Sequence, residues 1–215
     1  MTILLFGATG SAGGSVLRVC LADAGVSEVR VIVRRPTGLV HPRLREVLHD
    51  DYLRYDAVRT AFVGVDACFY CLGKSVRQVS GEAEYRRITH DFALAAAEAL
   101  RAASPQAVFH YISGSGTSLT SRFMWARVKA EAERDLMAGN DAVCWRPGSI
   151  DGVPSASEPF GYKLFRPVAR LLLRPFPSVY ITGTDIGRAM LVATRQGVRN
   201  RIFENAEMRE LAKVG

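Results

Sequence analysis

A glycine-rich turn between a short apolar run and a helical pattern constrains the fold of this chain more than any other feature. Residues 2–6 form an apolar run typical of a buried strand, and residues 11–24 carry the three-and-four spacing of an amphipathic helix. Between them stands Gly7-Ala8-Thr9-Gly10-Ser11-Ala12-Gly13. A buried strand that turns directly into a helix is the opening unit of an α/β domain.

The rest of the chain repeats this alternation of strand and helix. Further strands are predicted at residues 29–33, 45–49, 67–72, 107–112 and 142–145, and helices at about 57–62, 82–102 and 120–138. Strands that alternate with helices form a parallel sheet with right-handed crossovers, and the helices cover both faces of that sheet. The predicted fold class is therefore α/β, with a doubly wound parallel sheet of the Rossmann type.

Length and composition support one domain. The chain has 215 residues, of which 48% are apolar and 23% are charged, and these values exclude a disordered, collagenous or coiled-coil protein. Beyond Pro147 the alternation gives way to a loop rich in glycine and proline, followed by a late helix at 184–195 and a strand at 201–204. We expect a single domain over 1–215, with residues from about 147 to 215 as a small C-terminal elaboration that contributes a lid or substrate site.

The glycine turn is typical of a dinucleotide-binding loop. Glycines at its first two positions let the backbone approach a pyrophosphate, and the third lets the helix pack closely on the sheet. The N–H groups that begin the helix would bind the phosphates. The candidate cofactor-binding residues here are Gly7, Thr9, Gly10, Ser11, Ala12 and Gly13. The alternative interpretation is a tight turn that holds no ligand.

The end of the second strand favours NADP over NAD. An NAD site places a carboxylate about 20 residues past the loop, where it binds the ribose 2′-hydroxyl. This chain carries Arg34 and Arg35 there. Guanidinium groups match a 2′-phosphate in charge and in geometry. The alternative is a pair of solvated arginines ahead of Pro36.

The spacing G-x-x-G-x-x-G resembles that of the atypical short-chain dehydrogenases, in particular NAD(P)H-binding proteins of the NmrA-like and Tat-interacting-protein oxidoreductase kind. Four later segments extend the resemblance: Asp50 and Asp51, which would contact adenine; Leu72, Gly73 and Lys74 over the cofactor; the turn Arg146-Pro147-Gly148; and the late helix that opens Thr184-Asp185-Ile186. The resemblance implies an NADP-dependent oxidoreductase acting on a small carbonyl-type substrate. It adds Pro147 and Gly148 to the cofactor site.

The catalytic residues of that family are only partly matched. Active members combine a serine after the fifth strand with Tyr-x-x-x-Lys on the following helix. Ser113 fits the serine, with Ser115 as a second candidate, and Lys129 fits the lysine, but Trp125 stands at the tyrosine position. An indole N–H has no useful acid–base pKa. Three explanations remain open: another proton source such as Tyr85, Tyr111, Tyr162 or water; an NADP(H) sensor without turnover; or a shifted register.

A net charge of +7 favours anionic partners. Lys163, Arg166, Arg170 and Arg174 recur at helical spacing on a segment interrupted by Pro167. The segment is expected to form the solvated edge of a lid, although it could contact an anionic membrane or a protein partner, and nucleic acid is the least favoured partner.

The cysteines and histidines predict no metal site and no disulfide. Cys68 and Cys71 lie in one strand pattern, where residues three apart face opposite sides of the sheet. The chain shows neither a secretory signal nor an apolar run of membrane-spanning length. These features predict a cytoplasmic protein.

Overall fold

The computed structural model describes residues 1–154 and 176–214. Its central sheet consists of parallel strands in the order β3-β2-β1-β4-β5-β6-β9. These strands are β1 (Thr2–Phe6), β2 (Glu28–Val33), β3 (Leu44–Leu48), β4 (Ala67–Tyr70), β5 (Val108–Ile112), β6 (Val143–Arg146) and β9 (Arg201–Glu204). A second, two-stranded parallel sheet pairs β7 (Ser149–Asp151) with β8 (Tyr180–Thr182).

Helices connect these strands. They are α1 (Ser11–Ala22), α2 (Glu82–Arg86), α3 (Phe92–Ala103), α4 (Met124–Asn140), α5 (Gly183–Arg195) and α6 (Asn205–Leu211). A π-helical turn, Arg87–Asp91, joins α2 to α3, and 3₁₀ segments occupy Asp56–Phe62 and Val76–Gln78. The predicted helix at 57–62 is therefore the 3₁₀ segment.

The predicted doubly wound α/β fold is confirmed. From β1 the chain builds outward to β2 and β3 on one side, and from β4 to β5 and β6 on the other. The strand order therefore reverses between β1 and β4, and ligands of such sheets bind beyond the carboxyl ends of the strands at this switch point.

The sheet separates two apolar cores. One lies under α1 and α5 and includes Trp145, and the other lies under α3 and α4 and includes Tyr70 and Tyr111. Cys68 belongs to the second core, whereas Cys71 packs against the first. The expectation that these two cysteines face opposite sides of the sheet is confirmed.

The predicted helix at 82–102 differs in its buried face. The three-and-four spacing of Tyr85, Ile88, Phe92, Ala96 and Ala99 predicts one continuous buried stripe. The structure buries Tyr85 and Ala96 as predicted, but Ile88, Phe92 and Ala99 are only partly buried. Thr89, Ala93 and Leu100 are buried in their place. The π turn adds one residue to a helical turn and so rotates everything beyond it.

The basic segment with Lys163, Arg166, Arg170 and Arg174, together with Tyr162, lies outside the described residues.

Candidate functional site

The glycine loop lies between β1 and α1, and the fold leaves no room for side chains at two of its positions. Gly7 has a φ of +77°, and a Cβ atom there would lie 2.5 Å from the carbonyl oxygen of Cys71. A Cβ atom on Gly13 would lie 2.2 Å from the carbonyl oxygen of Gly7. These glycines allow the loop to close against the end of β4 and against the helix that follows.

The start of α1 is open to an anion. Gly10 is the N-cap residue, no side chain caps the helix, and its first turn contains no acidic residue. Thr9 is exposed, and Gly10, Ser11 and Ala12 are partly exposed. The first N–H groups of a helix have no intrahelical acceptor. The donors and the helix dipole at this position therefore fit the pyrophosphate of a dinucleotide.

Arg34 and Arg35 extend this site from the end of β2. Both are exposed, and within residues 1–154 and 176–214 neither forms an ion pair. Burial raises the pKa of the Tyr52 phenol, and the positive charge of Arg34 opposes that rise. Two guanidinium groups without carboxylate partners at this strand end leave their donors available to a phosphate.

The two candidate adenine contacts differ. Asp50 and Asp51 are both exposed after β3. The Asp51 carboxylate accepts the Leu53 N–H at 3.1 Å, so part of its acceptor capacity already stabilises its own turn. The Asp50 carboxylate accepts no hydrogen bond among the described residues, so both of its oxygens remain available to a ligand.

The loop after β4 is exposed beside the glycine loop. Leu72 is partly exposed, and Gly73 and Lys74 are exposed, with Lys74 Nζ 3.3 Å from Glu84 Oε1. A Cβ atom on Gly73 would meet nothing within 4 Å, so no packing requires glycine there.

The turn after β6 is fixed by the C-terminal part of the chain. The Gly148 N–H donates to Asn205 Oδ1 at 2.7 Å, and a Cβ atom on Gly148 would lie 2.2 Å from the Val179 carbonyl oxygen. Pro147 is buried, and its carbonyl accepts the Ser115 N–H at 2.8 Å. Packing therefore accounts for Gly148 without a ligand.

Ser113 directly follows β5 and is 3% exposed. Its Oγ lies 3.1 Å from Thr117 Oγ1, and Thr117 Oγ1 donates to the Gly114 carbonyl at 2.7 Å. A hydroxyl carries one proton, so Ser113 is the donor in its bond with Thr117. In this arrangement the Ser113 oxygen presents lone pairs, rather than its proton, to its other neighbours. Ser115, the second candidate, is exposed.

Lys129 reaches Ser113 from α4. Its Nζ donates to the Ser113 carbonyl, and a Cβ atom built on Gly114 would lie 3.4 Å from Nζ. Burial lowers the pKa of Lys129 to about 8, an effect that Glu133 one helical turn away partly offsets. An amine in this range exchanges protons near neutral pH.

Trp125, one turn before Lys129 on α4, covers the loop that follows β5. Its ring atoms would lie 4.0 Å from a Cβ atom on Gly114 and 3.8 Å from one on Gly116. The ring stacks on Phe123, with centroids 6.4 Å apart and planes at 20°. Trp125, Lys129 and Ser113 thus meet in one corner, the arrangement that the spacing of four residues predicts.

Two tyrosines considered as proton sources are buried elsewhere. The Tyr111 hydroxyl donates to the Thr89 carbonyl at 3.0 Å, and Tyr111 is 1% exposed. Tyr85 is 2% exposed on α2. Burial raises the pKa of both phenols, which opposes their ionisation.

Sequence reasoning missed a buried ion pair below this corner. The acidic residues Glu131, Glu133 and Asp135 after Lys129 predict a solvated helix face. Glu133 is instead 3% exposed, and Arg146 holds both of its carboxylate oxygens, at 3.0 and 2.6 Å. Arg146 also contacts Glu204 at 3.0 Å. The available signal was spacing, because Glu133 shares the buried stripe of α4 with Ala126 and Ala130.

Sequence reasoning also missed the contact of the segment after β7 with the glycine loop. The Val153 N–H donates to Ser15 Oγ at 2.9 Å and to the Ser11 carbonyl at 3.2 Å. A Cβ atom on Gly152 would lie 2.3 Å from that same carbonyl. The C-terminal elaboration therefore begins against the first turn of α1.

Within the described residues, no group of three or more histidine, cysteine, aspartate or glutamate side chains could hold a metal ion. The described helices include none with the length and apolar character needed to cross a bilayer.

Comparison with known sequences identifies relatives over most of the chain. No protein-family model matches. "Protein fmp52, mitochondrial" of Aspergillus clavatus is 31% identical over 164 residues, covering 73% of this chain and 70% of that protein. The Eremothecium gossypii protein of the same name is 25% identical over 99% of this chain and 98% of its own length. Protein HTATIP2 of Rattus norvegicus is 29% identical over 153 residues, covering 69% of this chain and 62% of that protein.

Solved structures share the fold. The dTDP-glucose 4,6-dehydratase DesIV of Streptomyces venezuelae, determined with NAD bound, aligns with a TM-score of 0.71 and 18% identity over 100% of this chain and 80% of its own. A short-chain dehydrogenase/reductase family oxidoreductase of Burkholderia thailandensis aligns with a TM-score of 0.71 and 17% identity, over 94% of this chain and 89% of its own.

One expectation is overturned by these relatives. The fungal proteins are named as mitochondrial, so the prediction of a cytoplasmic protein is wrong.

Proposed function

The chain belongs to the family of the fmp52 proteins and HTATIP2, among the atypical short-chain dehydrogenases/reductases, and on that basis we propose an NADP(H)-dependent oxidoreductase acting on a small carbonyl compound. One observation carries the proposal. Among the described residues, the first turn of α1 has no side-chain cap and Arg34 and Arg35 have no ion-pair partner, and these groups lie at the ends of the adjacent strands β1 and β2.

The cofactor would be held by the chain's own donors. N–H groups of Ser11 and Ala12 would bind the pyrophosphate, and Arg34 and Arg35 the 2′-phosphate. The solved relatives determined with NAD support a nicotinamide cofactor in general. The finer choice of NADP rests on the arginines, because an NAD site needs an acceptor for the 2′-hydroxyl at this strand end. When bound, the nicotinamide supplies or accepts a hydride.

The substrate would bind above Ser113 and Lys129. Ser113 would line the substrate site with its oxygen as a hydrogen-bond acceptor, and Lys129 would hold the nicotinamide ribose. The proton comes from a group other than Trp125, whose indole cannot exchange one at neutral pH.

A titration with NADPH, NADH and NADP⁺ tests the cofactor. The signal is energy transfer from Trp125 and Trp145 to the reduced nicotinamide, with thermal melting in parallel. We expect NADPH to bind preferentially and Arg34→Ala to weaken NADPH by roughly 10- to 100-fold, as for a lost charged hydrogen bond. NADH binding should be unchanged. Arg59→Ala, at an exposed arginine of the 3₁₀ segment, is the matched control. Failure of every dinucleotide to bind would reduce the glycine loop to a structural turn.

A second function, an NADP(H) sensor without turnover, is favoured by one residue, Trp125. Trp125→Tyr separates the two functions. If the variant gains reductase activity that the natural protein lacks, the natural protein is the sensor. If the natural protein already reduces a carbonyl compound, the enzyme assignment stands and the proton donor lies elsewhere.

The relatives' names extend the proposal to a mitochondrial location, which fractionation of the source cells tests. The basic segment at residues 163–174 remains a candidate contact for an anionic membrane or a protein partner.

A further inference from the structure

Reduction of a carbonyl group needs a proton donor, and the described corner holds few candidates. The Trp125 indole is excluded by its chemistry. Tyr111 donates its hydroxyl to the Thr89 carbonyl within the core, and Tyr85 is 2% exposed on α2. Cys71, beside the glycine loop, has its pKa raised to about 12 by burial, so it holds its proton tightly.

Ser113 is excluded by proton counting. Thr117 gives its single hydroxyl proton to the Gly114 carbonyl, so the Ser113 proton points to Thr117. To donate to a substrate, Ser113 would have to leave Thr117 without a donor. The serine oxygen is instead arranged to accept.

Lys129 has donors to spare. Its ammonium group carries three protons, and one bonds to the Ser113 carbonyl. The nitrogen lies over Gly114, beside the Trp125 ring and at the end of β5. A donor held here, one helical turn from Trp125 at the position that tyrosine has in related enzymes, is within reach of a substrate oxygen bound at this corner, directly or through one water molecule.

We propose that Lys129 takes the role that tyrosine has in related enzymes and delivers the proton to the substrate oxygen. This inference rests on the proposed function. The carbonyl carbon gains the hydride that a reduced nicotinamide supplies, the C=O π bond breaks, and its electron pair moves to oxygen. That oxygen takes a proton from the Lys129 ammonium, which becomes a neutral amine and regains a proton from solvent.

The charges around Lys129 are consistent with this role. Burial disfavours the charged amine, and Glu133 on the same helix favours it. Arg146 from β6 donates to both carboxylate oxygens of Glu133, so that carboxylate is already paired with another cation. From α2 and the π turn, the facing charged groups pair with other residues of α4, namely Glu82 with Arg127, Arg86 with Glu131, and His90 with Asp135. The amine therefore titrates chiefly in response to its own burial.

The first test needs no substrate. Purified protein is acetylated with acetic anhydride across a pH series, and the rate at each lysine is read by mass spectrometry. The Lys129 rate should have its midpoint near 8, and the exposed Lys74 and Lys213 of the same chain serve as internal controls. A Lys129 midpoint equal to theirs overturns the proposal.

The second test separates proton transfer from anchoring. Lys129→Arg keeps the positive charge and the hydrogen-bond donors but cannot release a proton in this pH range. We expect NADPH affinity within a few-fold of the natural protein and a loss of roughly 100-fold or more in kcat. Retained turnover in Lys129→Arg overturns the proposal.

A third test asks whether a new proton donor restores turnover. A phenol introduced by Trp125→Tyr in the Lys129→Arg protein should restore at least about 10-fold of the lost kcat, because it supplies a new proton donor. Absence of rescue would assign Lys129 to positioning and overturn the proposal. Failure of the proposed function would appear differently, as absence of NADPH binding or of carbonyl reduction in the natural protein itself.

Discussion

Two regions at the carboxyl end of the sheet are built in different ways. The cofactor edge, defined as the Gly7–Gly13 loop with Arg34 and Arg35, is shaped by backbone. The proton-transfer corner, defined as Ser113, Trp125 and Lys129, is shaped by side chains on β5 and α4. At Gly7 and Gly13 of the cofactor edge an added methyl group would lie 2.5 and 2.2 Å from a backbone carbonyl oxygen, although at Gly10 the distance is 3.3 Å. At the corner, the equivalent contacts around Gly114 and Gly116 are 3.4 to 4.0 Å.

The difference explains why the chain matches its family's pattern at one region and departs from it at the other. A side chain at Gly7 or Gly13 would displace backbone that holds β1, β4 and α1 together. The position of Trp125 is partly exposed and stacks on the exposed Phe123, so a larger ring fits without moving the sheet. A change of residue type there alters chemistry before it alters stability.

The largest effect is expected from Gly13→Ala. The new methyl group would meet the Gly7 carbonyl, so the loop must open, and we expect at least about 3 kcal/mol of lost stability together with lost dinucleotide binding. Chemical denaturation and the NADPH titration measure the two losses.

Gly139→Ala is the matched control, because Gly139 lies exposed within α4 and its added Cβ would meet nothing. It should gain roughly 0.5–1 kcal/mol through helix propensity and leave binding unchanged. If Gly13→Ala and Gly139→Ala changed stability and NADPH binding equally, the backbone of the cofactor edge would be no more constrained than an exposed helix position.

A second effect probes the support beneath the corner. Arg146→Met would leave the Glu133 carboxylate buried without its partner, and breaking such a pair costs about 3 kcal/mol or more. Urea unfolding measures the loss. Glu204→Gln removes only the exposed partner of Arg146 and should cost less than about 1 kcal/mol. A mild effect of Arg146→Met would mean that side chains support this corner less than the structure indicates.

The smallest effect is a pH dependence specific to the corner. The pKa of Lys129 is about 8 in the folded protein against an ordinary 10.5, so between these values the unfolded chain binds more protons. The contribution of Lys129 to stability therefore increases as pH rises from about 8 to 10.5. The difference in unfolding free energy between the natural protein and Lys129→Met should grow over this interval. Lys213→Met, at an exposed lysine, should show no such growth.

Local sequence patterns predicted much of the sheet because they record burial. The strands β1 and β4 are apolar throughout or nearly so, β2 ends in three apolar residues, and glycine marks the turn into α1, so neighbours along the chain were sufficient. The same patterns failed in part at the π turn, beyond which Thr89 and Ala93 are buried in place of Ile88 and Phe92, although Ala96 is buried as predicted. They also missed β7 and β8, since strands of three residues paired across a long connection carry too little periodicity to detect.

At the site, the identity of each group was readable from the sequence, but its state was not. The glycine spacing, the arginines after β2 and the tryptophan in place of tyrosine are facts of composition and order. The direction of the Ser113 proton, the pairing of Glu133 with Arg146 and the lowered pKa of Lys129 were decided by tertiary structure. The physical reason is that each of these depends on burial and on partners distant in sequence, which only the folded chain brings within hydrogen-bonding distance.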